Sequence, residues 1–156
     1  GEAEIGHIRL DKNGTTLESK CSGWAIDKKL KKYIQNNPYT ALSEIMQNNQ
    51  GPETRFLDQA IRQGDMGAKQ ILNSTIDDLA FGFSHIVHLL NPHVIIIGGG
   101  VSLLGDRLIE GIRSKIGQYL MSSMKIKPPE IHQAELKEDV VPMGAALLAH
   151  RMHKKG

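Results

Sequence analysis

Apolar residues in this chain recur mostly at helical spacing. Over residues 24–36, Ile26, Leu30, Tyr33 and Ile34 keep one apolar face, and Asn36-Asn37-Pro38 closes the helix they predict. A second short helix is expected over residues 40–47, with Leu42, Ile45 and Met46 inward. A polar loop over 47–52 then leads to a third helix at 54–62. The longest stripe begins near Asp65 and runs through Ala68, Ile71, Leu72, Ile76, Leu79, Phe83, Ile86, Val87 and Leu90. That is about seven helical turns, stopped by Asn91-Pro92. A further helix is expected over 104–121, with Leu108, Ile112, Ile116 and Leu120 on one face. A last one starts at Pro142 with Asp139 as an anionic cap, carries Gly144-Ala145-Ala146, and ends in the basic residues 150–155.

One stretch breaks the helical rule. Val94, Ile95, Ile96 and Ile97 are consecutive and β-branched, with no polar face. Such a run predicts a strand buried on both sides, as in parallel sheets. Burying all four side chains is worth about 8 kcal/mol. Gly98, Gly99 and Gly100 follow, and a helix is expected at once after them. A turn between a strand's carboxyl end and a helix's amino end is where phosphates and nucleotides bind in open α/β sheets. The same glycines also suit a tight turn with no ligand. Elsewhere, residues 4–10 alternate loosely and predict a turn into a short strand, and Asp11-Lys12-Asn13-Gly14 is turn chemistry. Residues 15–22 read as a short polar crossing, and 130–134 as a second short strand. Few strands among many helices, alternating in the second half, define a helix-rich α/β fold.

Composition narrows the picture. The 156 residues suit a single domain, 1–156, with a real core, and a net charge of +2 with 40% hydrophobic residues excludes disorder. Lys28, Lys29, Lys31 and Lys32 fall on the wet side of the 24–36 helix. They read as a solvated face, so no nucleic-acid partner is expected. The single cysteine, Cys21, rules out an internal disulfide and any metal site built from several cysteines. No run is long enough to span a membrane and no signal peptide opens the chain, so the expected compartment is the cytoplasm. The chain starts at Gly1 and enters Glu-Ala-Glu-Ile-Gly-His directly, as the middle of a protein would. The stripe over 65–90 exceeds what one short strand can cover, which points to another helix or a second subunit, with a homodimer as one solution.

Several residues carry potential chemistry. Glu4 and His7 lie three apart around Gly6; they can bond adjacent hydroxyls of a polyol, or be a surface Glu and a capping His. Glu18 stands in a polar loop and says nothing alone. His85 and His88 have a spacing that can share a metal, but with no carboxylate one turn away they read as core or solvent histidines. Asp77 and Asp78 are neighbours that point apart on a helix, and Cys21 reads as packing.

Taken together, four segments resemble the ROK family of sugar kinases and sugar-responsive repressors. Glu4-Ile5-Gly6-His7 matches a Glu-x-Gly-His motif. Leu17-Glu18 with Ser22-Gly23-Trp24-Ala25-Ile26 is similar to the family's Leu-Glu and Ser-Gly-x-Ala-Ile stretch. Leu90-Asn91-Pro92 followed by Ile96-Ile97-Gly98-Gly99-Gly100-Val101 resembles its adenosine-side motif, and the 144–149 run its closing helix. The resemblance implies the second, carboxyl-terminal lobe of an actin-like, ribonuclease-H-like sugar kinase, without the amino-terminal lobe. It implies that Glu4, His7 and Glu18 hold hydroxyls of a hexose or amino sugar, and that Gly98, Gly99 and Gly100 pass close to ATP, with Mg²⁺ in the full-length protein. The catalytic aspartate and phosphate loop belong to the missing lobe, so no catalytic residue is expected here. Many family members hold zinc through the motif histidine and three cysteines; the short connection 11–16 has none, so no zinc is expected. The alternative within the family is the effector-binding lobe of a transcriptional repressor.

Overall fold

A computed structural model describes residues 4–125 and 127–135; the helix expected from Pro142 onward lies outside them. The fold is built on one long helix. Helix α1 spans Leu17–Cys21, α2 Gly23–Asn36, α3 Ala41–Gln47, α4 Leu57–Arg62 and α5 Met66–Leu90. Strand β1 (Val94–Ile97) follows, then α6 (Asp106–Ile116), α7 (Ser122–Lys125) and β2 (Glu130–Gln133). The two strands are parallel, with Ile95 opposite Ile131 and Ile97 opposite Gln133. Helices α1, α2, α4 and α6 all pack against α5.

Asp65 starts α5 and joins it to its neighbours. Its Oδ1 accepts from Ala68 N at 2.9 Å and from the Tyr33 hydroxyl at 2.6 Å, while Oδ2 accepts from Leu42 N at 3.0 Å. One buried carboxylate therefore caps α5, holds the first turn of α3 and fixes the last turn of α2. Burial pushes its pKa up, but the bonds from Ala68, Tyr33 and Leu42 outweigh that and hold it below the usual carboxylate range. Downstream, Leu72, Ile76, Leu79, Phe83, Ile86 and Val87 of α5 are buried with Leu108, Ile112 and Ile116 of α6. The α5–α6 pair is framed by Asp77, which accepts from Lys115 Nζ at 2.9 Å and the Tyr119 hydroxyl at 2.8 Å. Lys20 Nζ donates to Asp78 at 2.9 Å and ties α1 to the same helix. The two neighbouring aspartates thus serve different interfaces.

Several expectations need correction. Residues 15–22 are not a polar crossing: Thr16 and Ser19 form a reciprocal capping box that starts α1. The signal was short and its buried residues few, Leu17 and Cys21, so periodicity could not show it. Residues 4–10 form a 3₁₀ turn, Ile5–His7, and a single bridge between Arg9 and Thr16, with no strand. The predicted 104–121 helix is shorter, because a 3₁₀ turn at Gly100–Leu104 comes first and α6 ends at Ile116. Gly105, at φ +67°, separates the two. Leu90 leaves the α5 stripe and is exposed, since Asn91 turns the backbone into the left-handed region just beyond it. Finally, β1 is not buried on both sides: Ile97 is buried, but Val94 is 45% and Ile96 68% exposed. With only β2 beside it, one face of β1 has no cover among the described residues.

Replacing Asp65 with Asn should lower stability by about 2–4 kcal/mol at neutral pH, since a buried charged acceptor of several bonds is lost. A folded-state pKa held low adds stability that is full above the ordinary carboxylate value and is lost as pH falls through the folded one. Urea melts of both proteins should therefore show the Asp65→Asn deficit shrinking below about pH 4; a deficit that grows on acidification contradicts this role.

Candidate functional site

The glycine turn after β1 is set by its neighbours. Gly99 takes φ +72°, a conformation open to glycine, with no atom within 4 Å of where a Cβ would stand. Ser102 Oγ donates to Gly99 O at 2.7 Å, and Gln133 Nε2 donates to Ser102 O at 2.7 Å, so β2 braces the turn. Gly100 has a different task. A Cβ on Gly23 would lie 2.9 Å from the Gly100 backbone, so the first residue of α2 and the glycine turn meet main chain to main chain. Ser22 Oγ, accepting from Ala25 N at 3.2 Å, caps α2 at that contact.

The acidic side is built from the 3₁₀ turn and α1. Glu4 precedes the turn, and its Oε2 lies 2.8 Å from His7 Nδ1, both side chains being exposed. Between them, Gly6 lies against Glu18: a Cβ there would stand 3.2 Å from Glu18 Cβ and 3.7 Å from Oε2. The connection from His7 to Glu18 is short and internally bonded. Leu10 N donates to Thr15 O at 2.8 Å, Leu17 N donates to Ile8 O at 2.8 Å, and Asp11 Oδ1 accepts from Asn13 N and Thr15 N. The Thr15 and Asn13 bonds hold the exposed Asp11 carboxyl below its ordinary pKa.

Residues of both sides line one cavity of about 460 Å³. Glu4, Glu18 and Ser22 supply its polar side chains, and Gly98 with Ile95, Ile96 and Ile97 brings in the strand. Ile5, Leu17, Cys21, Leu79, Phe83 and Val101 add apolar lining. Of the residues expected from sequence, Glu4, Glu18 and Gly98 come together. His7 is outside the lining and reaches it only through Glu4; Gly99 and Gly100 stand behind Gly98. Sequence reasoning missed Leu79 and Phe83, whose helical spacing marked them only as core. Cys21 is packing: burial pushes its thiol up to about 12, which removes the reactive thiolate.

Among the described residues no group of three His, Cys, Asp or Glu side chains is arranged to hold a metal. The open backbone at Gly99, next to Gly98 of the cavity lining, does fit a ligand that approaches the main chain closely. No helix of the described residues is long and apolar enough to cross a membrane.

Comparison with known proteins defines the class first. A glucokinase of the ROK family from Streptomyces griseus, solved with glucose and AMPPNP, superposes with a TM-score of 0.80. Its identity is 27%, over 96% of this chain and 51% of that one. The fold is thus that of the actin-like sugar kinases, a helix-rich α/β lobe. The profile of the ROK family matches residues 1–152, and the chain belongs to that family. The Thermotoga maritima glucokinase is 30% identical over 152 residues, covering 92% of this chain and 48% of its own length. The N-acetyl-D-glucosamine kinase of Histophilus somni is 27% identical, covering 93% and 48%. The chain spans about half the length of the curated relatives it matches.

Changing Gly23 to Ala should destabilise the fold by about 1–3 kcal/mol, because backbone cannot yield as a flexible side chain can. Gly14→Ala, where a Cβ meets no atom within 4 Å, is the control for strain alone. Equal denaturation midpoints for Gly23→Ala and wild type would show that the Gly23–Gly100 contact does not hold the turn.

Proposed function

We propose that this chain is the sugar- and ATP-binding lobe of an ATP-dependent hexose or N-acetylhexosamine kinase. The observation that carries the reading is the shared cavity, which Glu4, Glu18 and Gly98 line together. Carboxylates accept hydrogen bonds only, and two of them across a small opening suit adjacent hydroxyls of a pyranose. His7, outside the cavity lining, acts through Glu4, whose carboxylate it holds. Gly99 leaves room for the adenosine and phosphates of ATP beside Gly98 of the cavity lining, while Gly100 contributes by packing on Gly23. ATP with Mg²⁺ supplies the transferable phosphoryl group when bound. An aspartate of the other lobe serves as base toward the sugar hydroxyl. In this division the chain orients both substrates and contributes no base of its own: Asp77 and Asp78 are engaged at helix interfaces. Zinc has no part in it.

The repressor reading differs at the nucleotide. An effector-binding lobe needs the sugar wall but no bare glycine turn, and the open space at Gly99 favours the kinase.

In the two-lobed protein, Glu4→Ala and Glu18→Ala should each raise the sugar KM or lower kcat/KM by about tenfold or more, the worth of a charge-assisted bond. Coupled assays with glucose, N-acetylglucosamine and N-acetylmannosamine check this, and unchanged kinetics in both variants reject the assignment. The 156-residue chain by itself should stay at background in the same assays, since the base alone is worth a factor of about 10² to 10⁴. Sugar-dependent turnover above about 1 s⁻¹ from it would overturn the two-lobe reading. Tight sugar binding with no nucleotide binding would transfer the chain to the repressors.

A further inference from the structure

The turn Asp11-Lys12-Asn13-Gly14 carries a chemistry that the sugar and nucleotide contacts leave unused. All four residues are exposed, and they lie in the short connection between His7 and Glu18. Leu10 N donating to Thr15 O at 2.8 Å and the bridge between Arg9 and Thr16 close the base of the turn. Inside it, Asp11 Oδ1 accepts from Asn13 N at 2.8 Å and from Thr15 N at 3.1 Å. The N–H between those two, that of Gly14, has no acceptor among the described residues, and the Asn13 carboxamide has no partner there. Gly14 takes φ +92°, and no atom lies within 4 Å of where its Cβ would stand. An unbonded amide nitrogen with no side chain to shield it therefore stands one ring closure from a free carboxamide carbon.

Every other asparagine lacks a part of this arrangement, and none precedes a glycine. Asn37 and Asn91 come before prolines, whose nitrogen has no hydrogen to lose. Asn36 is followed by Asn37, whose N–H donates to Ile34 O at 3.1 Å. Asn48 and Asn49 give their carboxamides to Glu44 O and Ile45 O at the end of α3. Asn73 lies inside α5, where the next N–H belongs to the helical ladder.

We propose that Asn13 is a site of self-modification, where the chain converts the Asn13 amide to an acid through its own Gly14 nitrogen. That nitrogen gives its proton to hydroxide or a buffer base and bonds to Asn13 Cγ. The Cγ–Nδ2 bond breaks, and ammonia leaves with a proton returned by the solvent, which closes a five-membered succinimide. Water then opens one of the two carbonyl–nitrogen bonds of the ring. One opening yields aspartate, and the other yields isoaspartate, with the main chain rerouted through Cγ. No oxidant or cofactor enters. Each event lowers the net charge of +2 by one unit and sets a second carboxylate in the turn of Asp11. Isoaspartate also adds one carbon to the main chain between His7 and Glu18, just before the Thr16–Ser19 capping box of α1. The four residues of the turn are exposed, so the change costs no core contact.

Peptide mass mapping of the two-lobed protein, aged at mildly alkaline pH, tests this without any assay of sugar or nucleotide. Acid should form at Asn13 about tenfold or more faster than at Asn73, since a helical amide must first be opened. An isoaspartyl methyltransferase should label the aged sample at Asn13, and isoelectric focusing should show a new, more acidic band. Asn13→Gln keeps an amide but needs a six-membered ring, so it should lose both the label and that band. An intact amide at Asn13 in the folded, aged protein, with conversion once urea unfolds it, shows that the turn protects the site and overturns the proposal. Conversion at Asn48 or Asn49 ahead of Asn13 overturns it as well. So does an acidic band that persists undiminished in Asn13→Gln.

Discussion

The Asp65 carboxylate is the interaction on which the arrangement depends. It sits where three helices must agree: it ends the approach to α5, anchors the first turn of α3 and receives the Tyr33 hydroxyl from α2. The registers of α2 and α3 against α5 are thereby fixed at one point. A buried anion with several donors is a demanding arrangement, because any donor displaced leaves charge uncompensated in an apolar setting. That penalty makes the junction specific as well as stable. The phenol feels the same contact, its pKa raised by burial and by the adjacent Asp65.

From that junction α5 carries position across the lobe. About three turns past its start it meets α6, with Asp77 bonded to Lys115 and Tyr119. At the next residue Asp78 takes Lys20 and so locates α1. Helix α1 then has little freedom: Leu17 is buried in the core, Lys29 Nζ donates to Lys20 O at 2.8 Å, and the capping box fixes its first turn. Glu18 is where it is because of these contacts, not through any interaction of its own carboxylate. The opposite wall is positioned as indirectly. Gly98 follows from β1, and β1 from its pairing with β2, which Arg113 of α6 holds by donating to Ile131 O at 3.0 Å. Both walls of the cavity thus trace back to α5 and α6.

How much of this was legible in the sequence depends on the length of the signal. Helices α5, with its start near Asp65, α2 and α3 could be read because apolar spacing and end signals agree, whereas the capping role of Asp65 appears only in the structure. Helix α1, with five residues, could not, since a stretch that short carries no period and only the Thr16–Ser19 box marks it. The site was partly readable. Glu4, Glu18 and Gly98 stand out through motif resemblance, and the cavity brings them together across long sequence separations. The different tasks of the three glycines were not readable, because Gly100 matters through its contact with Gly23, a long way back in the chain. The apolar trough was hidden for a related reason: Leu79 and Phe83 look like any other core positions of a long helix.

The β1 run shows how a failed expectation can itself be informative. Four β-branched residues without a polar face are chosen for burial on every side. In the chain as described, Ile97 is buried and Ile95 half-buried, while Val94 is 45% and Ile96 68% exposed, so part of the run's potential burial energy is unrealised. The same strand leaves backbone groups unmatched on one edge, and that edge borders a trough lined by Leu and Phe. What the described strand does secure is its carboxyl end: β2 pairs with β1 along one edge and Ile97 is buried in the core, so the residue that follows, Gly98, is held at the cavity shared with Glu4 and Glu18.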